Sequence, residues 1–224
     1  MNQAPINPSI LTSLRNIIPE RGCDFSEALA VSERQAAKLT DMLRQRDPHF
    51  DGIGAHHIAG LPRIRIVYDV LPVSGMSYWN GQAWILAICT ADGPARQRFT
   101  MLHELKHIID HGATTRLYRG TMTQSAQAQA EKAADYFAGC ALVPKTALKC
   151  AWASGLQRTD NLADYFGVSE QAIAVRLDQT GVARELDVEP TPRRDRCARP
   201  VATPSYYPQR FRVARPNYAR RSYA

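Results

Sequence analysis

The stretch from Arg96 to Asp110 constrains the fold of this chain more than any other, because it carries two histidines, His103 and His107, at helical spacing. Positions i and i+4 of an α-helix lie on one face, one turn apart. Two imidazoles in that arrangement can bind one metal ion. Glu104 follows the first histidine, so it can flank a metal without ligating it, where a general base for an activated water belongs. The stretch therefore predicts a helix that carries a metal site.

The residues around this H-E-x-x-H pattern support the helix. Apolar side chains at helical spacing supply a core face: Phe99, Leu102, Leu105, Ile108 and Ile109. His111 and Gly112 follow the stretch, and glycine is frequent just past a helix C-terminus. We therefore predict an amphipathic helix whose polar face holds the two histidines.

A catalytic zinc site needs a third protein ligand, and the alanine-rich residues 125–138 offer one. This segment contains no glycine and is a strong helix former. Its Glu131 and Asp135 are spaced i, i+4 and share a face. Glu131 would complete a site with two histidines and an open fourth position. Asp135 would accept the free N–H of a ligand histidine. His111, one turn beyond His107, is a rival third ligand.

The combination of these motifs resembles the ImmA/IrrE family of zinc metallopeptidases. The resemblance covers about residues 61–183 and rests on three stretches: Arg96-Gln97-Arg98-Phe99-Thr100, Glu131 through Asp135 to Phe137-Ala138, and Leu142-Val143-Pro144. The sequence departs from the family at Ala133, where a second acidic residue is common, and at Lys106, where a small residue is common. Neither departure affects the residues expected to bind metal, although Lys106 adds a charge near the site.

The resemblance implies an α+β, zincin-like catalytic domain of the gluzincin type, with a small antiparallel or mixed sheet. It implies that His103, His107 and Glu131 bind Zn²⁺ and that Glu104 is the general base. It also implies a cytoplasmic endopeptidase whose substrate is a DNA-binding, helix-turn-helix repressor of a mobile element or stress response. The alternative is a DNA-binding or metal-sensing regulator that uses the zincin core without proteolysis. The presence of Glu104 argues against this alternative, because a pure binder needs no base.

Residues 1–60 are predicted to be a helical N-terminal extension. Ser32 is a candidate N-cap for the helix that follows it. We interpret this helix as one that packs on the catalytic domain, because it lacks the basic face that DNA binding needs. Residues 52–60 are a glycine-rich connection, and we interpret His56 and His57 within it as loop residues rather than metal ligands.

Residues 61–184 are predicted to be the metallopeptidase domain, which begins with a small sheet. Hydrophobic alternation over residues 63–70 predicts one strand. Asn80 and Gly81 form the dipeptide favoured in type I′ hairpins, and they separate two further strand-forming runs. The second run, residues 82–89, is apolar enough to be a central strand.

A helix-turn-helix signature lies at residues 161–178, where Gly167 marks the turn and Ser169 can cap the second helix. DNA reading requires basic or amide side chains on the exposed face of that helix. The charged residues expected there are net acidic: Glu170, Arg176 and Asp178. We therefore favour a structural or substrate-docking role over DNA binding.

The positive charge of the chain is confined to its C-terminal tail. Residues 191–224 hold nine arginines and one acid, Asp195, for a net charge of +8, while the whole chain carries +7, so the other 190 residues sum to −1. Proline punctuates residues 185–224, which are predicted to be disordered. Arginines interleaved with aromatic rings suit non-specific nucleic-acid binding through phosphate contacts and stacking. A solvated tail without a ligand is the equally open alternative.

Composition bears on the compartment. The five cysteines are odd in number and show no C-x-x-C spacing, which does not favour a disulfide framework. No run of eighteen apolar residues occurs, and the first residues lack the pattern of a signal peptide. These features predict a cytoplasmic protein without a membrane partner.

Deletion of residues 191–224 is expected to leave the melting temperature and the zinc content unchanged, because a proline- and arginine-rich segment contributes no core. If the tail binds nucleic acid, the full chain will bind DNA non-specifically, with an affinity that falls steeply as salt rises. Electrophoretic mobility shifts of both proteins at several salt concentrations measure this. Equal DNA binding by the truncated protein would show that the tail is not responsible.

Overall fold

The computed structural model describes residues 9–186, which form ten helices and one three-stranded sheet. The helices are α1 (Ile10–Arg15), α2 (Phe25–Arg44), α3 (Ala55–Ala59), α4 (Pro94–Asp110), α5 (Thr114–Leu117), α6 (Ala126–Leu142), α7 (Lys145–Ala153), α8 (Thr159–Phe166), α9 (Glu170–Thr180) and α10 (Val182–Leu186). The strands are β1 (Ile64–Asp69), β2 (Gly75–Trp79) and β3 (Trp84–Cys89). The fold class is α+β, as the sequence predicts.

The sheet is mixed and has the order β1-β3-β2. Strand β3 is central, parallel to β1 and antiparallel to β2, and its residues from Ile85 onward are buried. Helix α4 packs directly on β2 and β3. Gly75 permits this close approach, because a Cβ at that position would lie 2.5 Å from the Cγ2 of Thr100 on α4. The sheet therefore forms the wall beside the active-site helix.

The hairpin predicted at Asn80-Gly81 joins β2 to β3, but its turn is not the expected type I′. That turn needs positive φ at both central residues. Gly81 has a φ of 95°, whereas Asn80 is not among the positive-φ residues of the described chain. Instead, the Asn80 side chain accepts hydrogen bonds from the backbone N–H groups of Gln82 and Ala83, which closes a longer loop.

The prediction that Ser32 caps a helix was wrong. Helix α2 begins at Phe25, where the Asp24 side chain accepts a hydrogen bond from the N–H of Glu27. Ser32 lies inside the helix, and its hydroxyl donates to the carbonyl of Ala28. The longer helix adds about two turns, whose Ala28 and Val31 pack with Ala130 and Ala133 of α6.

The packing of α2 on α6 explains one departure from the family pattern. Ala133 on α6 is fully buried in an apolar cluster with Ala28 and Val31 of α2. An acidic side chain at that position would be an unpaired charge among apolar side chains. It would lower the free energy of unfolding by roughly several kcal/mol. Alanine therefore belongs to this interface rather than to the metal site.

The second departure, Lys106, is also structural. It is fully buried between α4 and α2, where its ammonium donates to Asp110 (2.7 Å) and to the side-chain oxygen of Gln35 (2.8 Å). Burial lowers the pKa of Lys106, and the charge of Asp110 opposes that shift. Tyr118 donates to the other oxygen of Asp110. Lys106 therefore joins two helices instead of adding charge to the site.

The helix-turn-helix signature corresponds to α8 and α9. Gly167 takes the left-handed conformation after α8, with a φ of 62°, and the hydroxyl of Ser169 accepts from the N–H of Ala172 at the start of α9. Arg176 was expected on the exposed face but is only 2% exposed, and it donates to the carbonyl of Val143. Glu170 and Asp178 remain exposed, so the outer face of α9 is more acidic than predicted.

Other sequence interpretations need smaller corrections. Residues 52–60 contain α3, so His56 and His57 lie on a short helix and not in a loop. Helix α10 extends two residues into the predicted tail, and residues 187–224 lie outside the described residues, as do residues 1–8. Within residues 9–186, no helix combines the length and apolar character that a membrane crossing requires.

Arg98 on α4 ties the helix-turn-helix unit to the rest of the fold. Its guanidinium donates to the carbonyls of Ile53, Phe166 and Gly167. Burial lowers the pKa of Arg98, while Asp51 opposes the shift. One side chain thus satisfies carbonyls from two segments that are distant from α4 in the sequence.

We expect Arg98→Leu to lower the free energy of unfolding by about 2–4 kcal/mol, because it leaves part-buried carbonyls without donors. The matched control is Arg96→Leu, two residues away on the exposed side of the same helix, for which a change within about 0.5 kcal/mol is expected. Urea unfolding monitored by circular dichroism measures both. Equal stabilities for the two variants would contradict the structural role of Arg98.

Candidate metal centre

Helix α4 positions the two histidines because its opposite face is held in the core. Gly93 precedes the helix and Pro94 occupies its first turn, where the missing N–H costs no hydrogen bond. At the other end, Arg15 of α1 donates to the carbonyls of Ile108 and Ile109, which lack partners within the helix. The face of α4 that carries His103 and His107 therefore points toward α6.

Glu131 reaches the histidines because α6 packs along α4. The hydroxyl of Ser125 caps α6 by accepting from the N–H of Ala128. Asp135 lies one turn beyond Glu131 on the same face. The structure thus brings His103, His107, Glu131 and Asp135 together from two helices.

The three candidate ligand atoms converge on one point. The Nε2 of His103 lies 3.1 Å from the Nε2 of His107 and 3.1 Å from the Oε2 of Glu131. The Nε2 of His107 lies 3.6 Å from the same Glu131 oxygen. Ligands about 2.0–2.1 Å from a tetrahedral zinc ion are separated by roughly 3.3 Å. The observed triangle therefore has the size that this ion needs.

Asp135 fixes the tautomer of His103. Its Oδ1 lies 2.9 Å from the Nδ1 of His103, so this nitrogen carries the proton and Nε2 presents a lone pair. That lone pair faces a carboxylate oxygen of Glu131 and the Nε2 of His107. Such a meeting of acceptors is unfavourable unless a proton or a metal cation lies between them. The donor set of two imidazole nitrogens and one carboxylate oxygen suits Zn²⁺.

The electrostatics of the cluster favour a cation. Burial by itself lowers the pKa of His103, but the hydrogen bond and charge of Asp135, with the charges of Glu104 and Glu131, raise it above its ordinary value. These carboxylates therefore favour the cationic form of the imidazole. The same negative charge would attract a divalent ion, which binds the neutral imidazole.

Two polar side chains that the sequence analysis did not identify orient the carboxylates. Ser77 on β2 donates to the Oε2 of Glu104 over 2.8 Å. Gln127 on α6 donates to the Oε1 of Glu131 over 2.6 Å, which leaves Oε2 toward the histidines. Ser77 lies on the face of β2 that points toward α4. The sequence alone did not indicate this, because it does not give the register of β2 in the sheet. Gln127 is one turn before Glu131, so helical spacing could have indicated it.

Two residues that could have joined the site lie apart from the cluster. His111, the rival third ligand, follows the end of α4, where its ring packs edge-on against Trp84 at 4.8 Å, and it is not part of the converging group. Tyr118, in the loop between the two metal helices, has a buried hydroxyl that donates to Asp110 and is therefore not free to act as an oxyanion partner. Neither residue contributes to the candidate centre.

A second group of potential ligands lies around α3. Asp47, His56 and His57 place potential ligand atoms within 4.8 Å of one another. However, the Nδ1 of His57 accepts from the N–H of Gly54 (3.0 Å), so its Nε2 carries a proton, which it donates to Asp47 (3.1 Å). Both ring nitrogens of His57 are thus engaged within the fold. That His56 and His57 are not metal ligands stays a prediction.

We expect the purified protein to hold about one zinc ion per chain. His103→Ala, His107→Ala and Glu131→Ala should each remove most of it, because each deletes one of three ligands. Inductively coupled plasma mass spectrometry after dialysis measures the metal. His111→Ala is the control and should retain full zinc; the reverse result for Glu131 and His111 would overturn the assignment of the third ligand.

Asp135→Ala tests the residue behind His103. It should weaken zinc affinity by about 10–100-fold, because His103 loses the partner that fixes its tautomer. Competition with a chelating dye measures this affinity. An unchanged affinity would show that Asp135 does not support the site.

Comparisons with known proteins identify the family of this chain. The comparison with curated proteins found no match. The structure is similar to a Mycobacterium tuberculosis transcriptional regulator, with a TM-score of 0.46 and 18% sequence identity, over 76% of this chain and 52% of that chain. The chain therefore spans about half the length of that regulator. The family model Peptidase_M78, described as the IrrE N-terminal-like domain, matches residues 64–178, which are just over half of the 224 residues. This chain accordingly belongs to the Peptidase_M78 family of IrrE N-terminal-like domains.

Proposed function

We propose that this protein is a cytoplasmic, zinc-dependent endopeptidase. The observation that carries the proposal is the convergence of His103, His107 and Glu131 on one point beside Glu104, which does not belong to the ligand triangle. A metal-binding protein without catalysis has no need of a carboxylate held next to its ligands. Among the described residues, Cys23, Cys89, Cys140 and Cys150 are free thiols, as suits a reducing compartment.

The chemistry divides between the metal and Glu104. When bound, zinc supplies a Lewis acid that polarises a carbonyl and lowers the pKa of water to about 7. Glu104 accepts the proton from the attacking water and delivers it to the departing amine nitrogen. Ser77 holds one oxygen of this carboxylate from β2. Because Glu104 is only 9% exposed, its orientation is set before a substrate arrives.

The edge of the sheet supplies a binding mode for the substrate. Strand β2 is an edge strand, since it pairs only with β3 in the described sheet. Through Ser77 this strand contacts Glu104, so a peptide added along its free edge would pass the reaction centre. Main-chain hydrogen bonds bind an extended peptide with little choice of sequence. Selectivity must then come from other surfaces.

We propose a helix-turn-helix repressor as the substrate. The family resemblance supports a regulatory target. The exposed charges of α9, Glu170 and Asp178, support a protein partner over DNA, because DNA contacts require cations on this face. Arg176 is the one cationic side chain of α9. It is buried and donates to the carbonyl of Val143, so it is not available to DNA.

Glu104→Gln separates metal binding from catalysis. It keeps the shape and the hydrogen bond from Ser77 but cannot accept a proton. We expect unchanged zinc content and a loss of cleavage of at least about 100-fold. The assay is co-expression with regulators encoded by neighbouring genes, with the fragments identified by mass spectrometry.

Casein is the control substrate in the same experiment. A regulatory protease should cut one repressor at one or a few sites and leave casein intact. Rapid casein degradation would contradict a dedicated substrate. Salt-sensitive DNA binding without any cleavage by the wild type would favour the regulator that does not cut. Equal cleavage by Glu104→Gln would exclude Glu104 as the base.

A further inference from the structure

An apolar groove of about 510 Å³ lies beside the metal centre. It is formed by residues of α2, α4, α6 and α9 and by the turn before α9. Its apolar walls come from Phe25, Leu29, Phe99, Tyr136, Val168 and Val175. Val175 is 47% exposed. We call this feature the apolar groove.

The apolar groove borders the candidate metal centre at Asp135. Asp135, which accepts from the Nδ1 of His103, also lines the groove. Phe99 lies one turn before His103 on α4, and Tyr136 follows Asp135 on α6. One to two helical turns span about 5–11 Å, and an extended chain advances about 3.3 Å per residue. A side chain in the groove would thus lie about two or three residues from the reaction centre.

The walls of the groove are fixed without a ligand. The hydroxyl of Tyr136 donates to Glu33 of α2 over 3.2 Å. The guanidinium of Arg176 lies 5.7 Å from the centre of the Tyr136 ring. Gly139 makes room for Arg176, since a Cβ there would come within 3.1 Å of its Cδ. This is a preformed site, which lowers the entropic cost of binding.

The charges at the groove favour an anionic neighbour for the bound side chain. Four charged residues line it: Arg96, Lys132, Asp135 and Arg176. Asp135 is engaged with His103, and Arg176 is buried and bonded to a backbone carbonyl. Arg96 and Lys132 remain exposed on α4 and α6. The rim is therefore cationic around an apolar floor.

We propose that the apolar groove binds a large apolar side chain of the substrate, with an acidic residue next to it, and thereby selects the bond that is cut. The occupant is a segment of the protein substrate, because the groove borders the metal centre at Asp135 and its rim complements an acidic peptide. The proposal rests on the proposed function. It assigns α9 a specificity role: the helix presents Val175 to the substrate rather than to DNA.

The test measures binding without cleavage. Zinc-loaded Glu104→Gln protein selects binders from a displayed library of random twelve-residue peptides. We expect enrichment of Phe, Leu, Ile or Tyr with Asp or Glu next to it. Enriched peptides without an apolar position, or no enrichment at all, would overturn the proposal.

Two substitutions on adjacent residues of α9 then provide a matched pair. In the Glu104→Gln background, Val175→Glu should weaken binding of the enriched peptides at least about tenfold, because it places a charge on the apolar floor. Ala174→Glu adds the same charge to an exposed neighbour outside the groove and should change affinity less than about twofold. Fluorescence anisotropy measures both, with zinc content as the check on folding. Equal affinities for the two variants would refute the groove.

Lys132→Glu tests the rim independently. It should abolish the preference for the acidic neighbour, measured as the affinity ratio of each peptide to its Asn or Gln counterpart. Arg96→Glu is tested in the same way, because Arg96 is the other exposed cation of the rim. If neither variant changes the affinity ratio, the electrostatic part of the proposal is overturned.

The wild-type enzyme separates this proposal from the proposed function. If the enriched peptides bind through Val175 but zinc-loaded wild type never cuts them or any regulator, the groove stands and the peptidase proposal fails. The opposite outcome is that wild type and Val175→Glu cut peptides at equal rates, and that an apolar residue near the cleaved bond makes no difference to either. In that case the groove proposal fails and the peptidase proposal stands.

Discussion

The packing of α4 against α6 is the contact on which the candidate metal centre depends. His103 and Glu131 are far apart along the chain and neither helix carries three ligands, so the site exists only while these helices stay in register. Leu102, Leu105 and Phe137 belong to one buried core that holds this register. Apolar packing of this kind leaves little freedom to slide, because interiors are as dense as organic crystals.

Three buried or partly buried cations connect the surrounding elements to this pair of helices. Lys106 joins α4 to α2, Arg98 joins α4 to the turn after α8, and Arg176 joins α9 to the end of α6. Each is bonded to oxygen atoms within the fold, as a buried charge must be. Through these contacts the N-terminal helices and the helix-turn-helix unit are held to the metal helices. The apolar groove lies where these units meet, so it forms only when all of them are in place.

In the proposed enzyme, three tasks would fall on three surfaces. The free edge of β2 offers backbone groups, the helix pair offers the ligand atoms with Glu104 beside them, and the apolar groove offers side-chain selectivity. Ser77 links the first two surfaces, and Asp135 links the second and third. A peptide that crosses all three would be bound, oriented and selected by different residues.

The sequence by itself determined the local features of this protein. Helical spacing placed His103 with His107 and Glu131 with Asp135, because i, i+4 geometry is a property of one helix. Glycine and cap residues likewise marked the hairpin and the helix-turn-helix unit. Only the tertiary structure decided what depends on contacts between elements. It placed Ser77 against Glu104, buried Arg176 and opened a groove beside Asp135, because burial and register are set by how distant segments pack and no periodicity within one segment records them.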